Sequence, residues 1–202
     1  IGVNGHKTES HPFTEADAPN PCEPYAQSKL EAEGVVRRYR CDFGLHSVVV
    51  RPSLVYGPGV KGNFLRLLKL AYSGLPLPLA AVENRRNLIG VQNLCHLLSL
   101  CLDSQSADGE TFLAAEPTAH STAEIFRCVY ASWGRSSRLF SVPERVLRVG
   151  AKLLGFESLF DKLCGSLEVC SEKARRELGW VPQVSFEEEI ARTAEWFLNT
   201  YC

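Results

Sequence analysis

Residues 46–59 read HSVVVRPSLVYGPG, and this stretch decides the fold class. The β-branched run Val48–Val50 is typical of a short strand that is buried on both faces, as the strands of parallel sheets are. Pro52, Gly57 and Gly59 then end the strand in a loop. A buried strand followed by a loop and a helical pattern indicates an α/β protein with a mainly parallel sheet.

Helical and strand patterns alternate on both sides of this stretch. The proline-rich residues 1–24 predict an ordered loop, and residues 25–40 predict a helix that begins after Pro24. Downstream, NFLRLLKLAYSG, QNLCHLLSLCLD, IFRCVYASWG, residues 143–154, SEKARRELGW and the C-terminal residues predict helices, whereas NLIGV, TFLAA and SLEV predict short strands. Capping boxes at Ser121/Glu124 and Ser185/Glu188 mark two helix starts.

The composition excludes several classes of protein. The 202 residues are 45% hydrophobic and 22% charged, with a net charge of −1 and no long run of either sign. This argues against a nucleic-acid-binding surface and a polybasic membrane patch, and charges interrupt every apolar stretch before the roughly 20 residues of a membrane span. The eight cysteines include no CxxC pair, so we expect no metal site and free thiols in a reducing cytoplasm.

One helix carries a pair of residues suited to proton transfer. In EPYAQSKLEAEG, residues 23–34, Tyr25 and Lys29 are four residues apart and therefore share a helix face. An unperturbed tyrosine is protonated at neutral pH and is a poor base, but a neighbouring ammonium group favours the phenolate. Such a tyrosine can take a proton from an alcohol or return one to a ketone. The spacing alone also fits two unrelated surface residues.

The order of these segments resembles the extended short-chain dehydrogenase/reductase superfamily, and within it the NAD-dependent nucleotide-sugar epimerases and C4-reductases. The resemblance rests on PYAQSKLEAEGVVRRY, VVVRPSLVYGPG, NFLRLLKLAYSG, NRRNLIGVQNL and SEKARRELGWVP, which cover nearly the whole chain. It implies the C-terminal part of a Rossmann-type parallel sheet with a smaller α/β substrate-binding domain. Residues 1–60 and 87–116 would belong to the NAD-binding domain, and residues 61–86 and 117–202 to the substrate-binding domain.

The resemblance also implies roles for residues that would bind NAD, with NADP as the other possibility. Tyr25 would be the catalytic acid/base, and Lys29 would bind the cofactor ribose hydroxyls and tune Tyr25. Pro52 and Ser53 match the place where such enzymes run their backbone past the nicotinamide amide, and Val55 falls in the same cofactor-binding segment.

Four further positions match residues that contact a nucleotide-sugar substrate. Asn63 matches an asparagine that touches the nucleotide-sugar, Arg86 matches an arginine that grips its pyrophosphate, and Arg85 is the alternative for that role. Asn63 also fits a helix N-cap, and the two arginines also fit a solvated pair. Leu54 stands near the sugar where UDP-galactose 4-epimerases tend to have asparagine, so the sugar contacts must differ.

Two expected features of the family are missing. No GxxGxxG turn, which cradles the dinucleotide pyrophosphate, occurs in the chain. The position of the family's catalytic serine or threonine falls at or just before Ile1. We therefore expect the chain to be the C-terminal part of a longer enzyme, inactive alone, with one open edge on the strand at Val48–Val50.

The expected activity is epimerisation at C4 of a UDP-sugar through a 4-keto intermediate, with C4 reduction of a 4-keto-sugar as the alternative. A non-catalytic dinucleotide-binding module or an inactive fragment is the alternative of another class. Dehydratases of the family carry an Asp-Glu pair where this chain has Ile1 and Gly2, which cannot move protons. Gly90 and Asn93 replace the family's frequent His and Asp.

The resemblance predicts an assembly as well. Members of the superfamily often dimerise through the helix that carries the tyrosine. We expect a homodimer in which Ala32, Val36 and Tyr39 are candidate contacts.

Overall fold

Strands and helices alternate along the chain, as the sequence predicts. The computed structural model describes residues 1–201. The elements are α1 (Pro24–Phe43), β1 (Val49–Pro52), β2 (Leu54–Tyr56), α2 (Gly62–Tyr72), β3 (Leu88–Gly90), α3 (Val91–Asp103), a 3₁₀ turn (Gln105–Ala107), β4 (Thr111–Ala114), α4 (Thr122–Ser132), α5 (Glu144–Leu153), α6 (Glu157–Cys164), α7 (Glu172–Leu178) and α8 (Phe186–Tyr201).

The chain forms two compact units. Unit 1 contains Ile1–Val55, Asn87–Thr118 and Leu167–Val184, and unit 2 contains Tyr56–Arg86, Ala119–Ser166 and the residues from Ser185 onward. The predicted division is similar, but it assigned residues 167–184 to the smaller domain. The structure places them in unit 1, because α7 and Trp180 pack into the hydrophobic core of that unit.

A parallel strand pair forms the centre of unit 1. β1 pairs with β4 in parallel, with Val49 opposite Thr111 and Pro52 opposite Ala114, and β2 pairs with β3. Both faces of β4 are buried: Phe112 and Ala114 enter one apolar cluster, and Leu113 enters another. This burial on both faces is the pattern of a parallel sheet covered on two sides, and it confirms the predicted fold class.

The strand predicted at Val48–Val50 begins one residue later and ends at Pro52. Within residues 1–201, β4 is its one strand partner. Val48 and Val50 are half-buried against the apolar cluster of unit 1 and are not fully exposed.

Unit 2 is built mainly from helices. Among the described residues, unit 2 contains Tyr56 at the end of β2. Its other β structure consists of isolated bridges, which join Leu77 to Leu139 and Arg86 to His120. α4 packs against α8, and the indole Nε1 of Trp133 donates to the Ala194 carbonyl at 3.1 Å.

Local hydrogen bonds confirm the first predicted capping box. The Glu124 N–H donates to Ser121 Oγ at 3.1 Å, and the Ser121 N–H donates to Glu124 Oε2 at 2.7 Å. At the start of α8 the Glu188 N–H donates to Ser185 Oγ at 3.3 Å, which satisfies one donor of the exposed helix end.

The strand predicted at residues 166–169 is wrong. This segment forms isolated bridges at Leu167 and Val169, the latter with Phe13, because an asparagine side chain occupies the place of a neighbouring strand. The Val169 N–H donates to Asn87 Oδ1 at 2.9 Å, and the Asn87 N–H donates to the Leu167 carbonyl at 3.1 Å. Helix α6 was not predicted from the sequence.

Two further expectations concern cysteines and membranes. The seven cysteines between Cys22 and Cys170 are free thiols, and Cys202 lies outside the described residues. No helix within residues 1–201 combines the length and the apolar character needed to cross a bilayer.

Candidate active site

The first turn of α1 brings the predicted acid/base pair together. Pro24 occupies the first helical turn, where its missing N–H leaves no hydrogen bond unmade, so Tyr25 and Lys29 lie one turn apart. Lys29 Nζ lies 5.2 Å from the centre of the Tyr25 ring. Both side chains are exposed, Tyr25 to 71%, while Ala26 and Glu33 face the interior of unit 1.

This arrangement can perform proton transfer on a bound alcohol. A phenol that is open to solvent can meet a ligand directly, which a group that exchanges a proton with an alcohol requires. The expectation that both side chains line a cleft with residues 52–56 stays a prediction.

The loop between β1 and β2 holds the predicted cofactor-binding segment. The Ser53 N–H donates to the Ala114 carbonyl at 2.9 Å, which continues the ladder from β1 to β4. Ser53 is buried, with 5% of its surface exposed. Its Oγ nevertheless has no hydrogen-bond partner among the described residues. A buried hydroxyl without a partner is unfavourable, so this segment fits a bound polar group such as a nicotinamide amide.

The neighbours of Ser53 differ in what they offer a ligand. The Val55 side chain packs against the apolar cluster of unit 1, so a cofactor contact at this residue would fall to its backbone. Pro52 and Leu54 are half-buried on either side of Ser53. Leu54 offers a ligand an apolar surface alone.

The predicted pyrophosphate-binding arginines lie in unit 2 and differ in exposure. Arg85 is exposed, and its backbone N–H donates to Ser166 Oγ at 3.1 Å. Arg86 is half-buried, its guanidinium donates to the Lys162 carbonyl, and its backbone pairs with His120. Burial lowers the pKa of Arg86 from its ordinary value. Arg86 is therefore held by the protein and is not part of a solvated pair.

Asn63 lies exposed in the first turn of α2, also in unit 2. The N-cap of this helix is Lys61, so the alternative that Asn63 is the N-cap is wrong. Lys61 makes no side-chain capping bond, and Asn63 lies at a helix N-terminus, which is a type of position that favours anionic ligands. The predicted convergence of Asn63 and Arg86 on one pocket stays a prediction.

The two unusual residues Gly90 and Asn93 share one buried partner, Glu116, which the sequence did not single out. The Gly90 N–H donates to Glu116 Oε1 at 2.9 Å, and Asn93 Nδ2 donates to the same oxygen at 2.6 Å. Asn93 Oδ1 accepts from the N–H groups of Gln183 and Val184. These contacts are structural, and no local sequence signal links residues so far apart.

The parallel strands and the Tyr25–Lys29 pair on α1 agree with the extended short-chain dehydrogenase/reductase class of α/β proteins, to which the chain belongs. More narrowly, the chain belongs to the family described as GDP-mannose 4,6 dehydratase, whose model matches residues 3–193. The resemblance found in the sequence is therefore confirmed.

Curated relatives include both epimerases and dehydratases. A UDP-glucose 4-epimerase from Vibrio cholerae is 34% identical over 201 residues, covering 98% of this chain and 61% of the relative. A dTDP-glucose 4,6-dehydratase from Salmonella typhimurium is 25% identical over 195 residues, covering 92% of this chain and 50% of the relative. The chain thus spans between half and two thirds of the length of these relatives.

Solved structures share the fold. UDP-glucuronic acid 4-epimerase from Bacillus cereus, in complex with NAD, matches with a TM-score of 0.78 at 19% identity, covering 100% of this chain and 60% of that one. DesIV, a dTDP-glucose 4,6-dehydratase from Streptomyces venezuelae with NAD and TYD bound, matches with a TM-score of 0.74 at 26% identity, covering 98% and 58%. Both matches confirm the Rossmann-type architecture.

Proposed function

We propose that this chain supplies the acid/base pair and the sugar-binding residues of an NAD-dependent nucleotide-sugar 4-epimerase that acts on a UDP-sugar. The observation that carries the proposal is the contact between Tyr25 and Lys29 on the exposed face of α1. The 34% identity to a UDP-glucose 4-epimerase supports C4 of the sugar as the reacting centre. NAD is the proposed cofactor, and NADP remains open.

The proposed roles follow from the chemistry of the side chains. Bound NAD supplies an acceptor and later a donor for the hydride at C4 of the sugar. Tyr25 takes the proton of the C4 hydroxyl when the alcohol is oxidised and returns a proton when the 4-keto intermediate is reduced. Lys29, whose ammonium group lies beside the Tyr25 ring, holds the cofactor ribose hydroxyls. The Ser53 hydroxyl and the backbone at Pro52 and Val55 hold the nicotinamide end.

The substrate-binding roles are assigned to charged and polar groups of unit 2. Arg86, or Arg85 in its place, would bind the pyrophosphate through the guanidinium fork, and Asn63 would contact the nucleotide-sugar near the N-terminus of α2. Leu54 would lie against the sugar, where it can make apolar contacts without directing any hydroxyl.

The alternatives differ in what they predict for the products. A C4-reductase would use the same residues but would consume one reduced cofactor per sugar. A 4,6-dehydratase would need acid/base groups where this chain has Ile1 and Gly2, which carry none. A non-catalytic dinucleotide-binding module would bind cofactor without turning over any sugar.

The test uses a protein that contains this chain and the family's glycine-rich N-terminal half. Interconversion of UDP-sugars at C4, followed by NMR, should occur without net change in NAD. Tyr25→Phe should lower the rate by about 100- to 10,000-fold, since general acid–base catalysis contributes that much. Folding should be unaffected because Tyr25 is 71% exposed.

A second tyrosine–lysine pair offers a matched control. Lys69 Nζ lies 4.9 Å from the ring centre of Tyr201, at the end of α8, and Tyr201 is 47% exposed. Tyr201→Phe should leave the rate unchanged. Wild-type activity in Tyr25→Phe would refute the assignment, and stoichiometric cofactor consumption would favour the reductase.

The proposed homodimer uses the outer face of α1. Ala32 and Tyr39 are exposed on this face, and Val36 is half-buried. Val35 and Phe43 are also exposed, to 45% and 75%, so an apolar stripe follows the helix. Tyr39→Glu should convert the dimer to a monomer in sedimentation experiments. A wild-type protein that sediments as a monomer at micromolar concentration would contradict the proposed dimer.

A cytoplasmic location stays a prediction, which rests on the cysteine usage.

A further inference from the structure

Arg51 is the centre of a buried polar network in unit 1. Its Nε donates to Glu33 Oε1 at 2.9 Å, and its Nη2 donates to Glu33 Oε2 at 2.7 Å. Its Nη1 donates to Asn4 Oδ1 at 2.9 Å. All three residues are buried: Arg51 is 5% exposed, Glu33 8% and Asn4 1%.

A buried ion pair of this kind is weak evidence for stability. Removing two charges from water is unfavourable, and apolar residues of similar volume often stabilise a protein as well or better. What a guanidinium fork provides is geometry, because two parallel N–H···O bonds form in one relative orientation only. The network is therefore better explained by what it holds in place.

The network connects the three segments from which the proposed site is built. Glu33 lies on α1, one turn beyond Lys29 and two turns beyond Tyr25, and it is buried where the two other residues are exposed. Arg51 directly precedes Pro52, where β1 leads into the cofactor-binding loop.

The third segment is the loop near the start of the chain. Asn4 Nδ2 donates to the Thr14 carbonyl at 3.3 Å, and the Asn4 N–H donates to the Ile1 carbonyl at 2.9 Å. The guanidinium of Arg51 thus ties this loop to both the helix and the strand.

A small displacement of α1 would break the network. A slip by one residue moves a helical side chain by about 1.5 Å along the axis and turns it by about 100°. Neither Arg51–Glu33 bond survives such a change. The fork therefore fixes both the height and the rotation of α1 on β1, and with them the place of Tyr25.

We propose that Arg51 and Glu33 are positioning residues, which set the Tyr25–Lys29 pair against the Pro52–Ser53 segment without touching substrate or cofactor. The inference rests on the proposed function. It predicts that loss of the fork impairs catalysis even where the fold is retained, because a misplacement of about 1 Å can lower a rate about 100-fold.

The decisive variant removes both charges at once, in the protein that carries the family's N-terminal half. Glu33→Leu combined with Arg51→Met should stay folded and unfold at a urea concentration moderately below that of wild type, because the ion pair itself adds little stability but the buried Asn4 Oδ1 loses its donor. Its kcat should fall about 10- to 100-fold, with little change in the KM for the UDP-sugar. Amide hydrogen exchange in residues 24–43 should become faster, which is a readout independent of activity.

An exposed pair in unit 2 provides the control. Arg148 Nη2 lies 2.6 Å from Glu144 Oε1 on α5, and both side chains are largely exposed. Glu144→Leu with Arg148→Met should leave stability, kcat and exchange in residues 24–43 at wild-type values.

The other outcomes are also decisive. A stable double variant with wild-type kcat and wild-type exchange overturns the proposal. If the double variant does not fold, Arg51→Lys decides, because it keeps the charge and loses the fork: a lowered kcat at constant KM supports positioning, and wild-type kcat overturns it. If the wild-type protein has no activity at C4, the proposed function fails, and hydrogen exchange in α1 alone decides the positioning role.

Discussion

Asn93→Asp exchanges one amide nitrogen for an oxygen, and it should destabilise the protein by about 4 to 5 kcal/mol at pH 7. In the wild-type structure this nitrogen donates to Glu116 Oε1 at 2.6 Å and to the Val184 carbonyl at 2.9 Å. When it is ionised, the new carboxylate can donate to neither group. Asn93 is fully buried, so water cannot replace the lost bonds.

The magnitude follows from the charges that would face each other. Two carboxylate oxygens separated by the present 2.6 Å repel with about 6 kcal/mol at an effective dielectric constant of about 20. The pair avoids this by binding a proton, and keeping a carboxyl of ordinary pKa protonated at pH 7 costs about 4 kcal/mol. The protonated pair then makes one O–H···O bond and leaves the Val184 carbonyl without its donor, which adds about 1 kcal/mol.

The pH dependence distinguishes this mechanism from a simple loss of packing. The folded variant binds a proton that the unfolded chain does not, since the shared site raises a carboxyl pKa above its unfolded value. Its stability therefore increases as the pH falls, by about 1.4 kcal/mol per pH unit above the ordinary carboxyl range. Urea unfolding of both proteins at pH 7, 6 and 5 should show the deficit shrinking by about half.

Asn93→Ala is the matched control for this experiment. It removes the same donors and the acceptor for Gln183 and Val184, but it introduces no second carboxyl group. Its deficit should be similar at pH 7 and nearly constant with pH. A deficit of Asn93→Asp below about 1 kcal/mol, or one that does not shrink in acid, would refute the reasoning about Glu116.

Three other outcomes are expected. Ser53→Ala should change the free energy of unfolding by less than about 1 kcal/mol, because the hydroxyl has no partner in the described structure. In the protein with its N-terminal half, calorimetry should show that the variant binds NAD more weakly. An unchanged affinity for NAD would remove Ser53 from the cofactor site. Hydrogen bonds from His46, Arg40 and the Ser47 N–H hold the pKa of Asp108 far below its ordinary value, so its stabilising effect is complete above about pH 4 and is lost as the pH falls further. Asp108→Asn should therefore unfold at lower urea than wild type at pH 7, and the gap should close towards pH 2; a constant gap would contradict this assignment. Burial raises the pKa of the Cys164 thiol to about 11. Mass spectrometry should therefore show that Cys164 reacts with maleimide much more slowly than the exposed Cys41. Equal reaction rates would show that unit 2 opens readily.

Local features of the fold could be predicted from the sequence because their causes lie within a few residues. The start of α1 at Pro24 depends on the backbone angle and the missing N–H of proline, and the capping box at Ser121 and Glu124 depends on hydrogen bonds inside one helical turn. The contact between Tyr25 and Lys29 follows from helix geometry alone, which places residues four apart on one face. The alternation of strands and helices predicted the parallel sheet for another reason: a helical crossover between two strands lets them run in the same direction.

The remaining features depend on partners that are distant in the chain, and only the tertiary structure decided them. The segment at residues 166–169 alternates like a strand, but the side chain of Asn87 takes up the hydrogen bond that a neighbouring strand would have made. Asn93 meets a partner 23 residues away, and Arg51 meets one 18 residues away. Sequence alone fixes which side chains can donate, accept or carry charge. Which of them meet in the interior is set by packing, because a buried polar group must find its partner wherever the folded chain provides one.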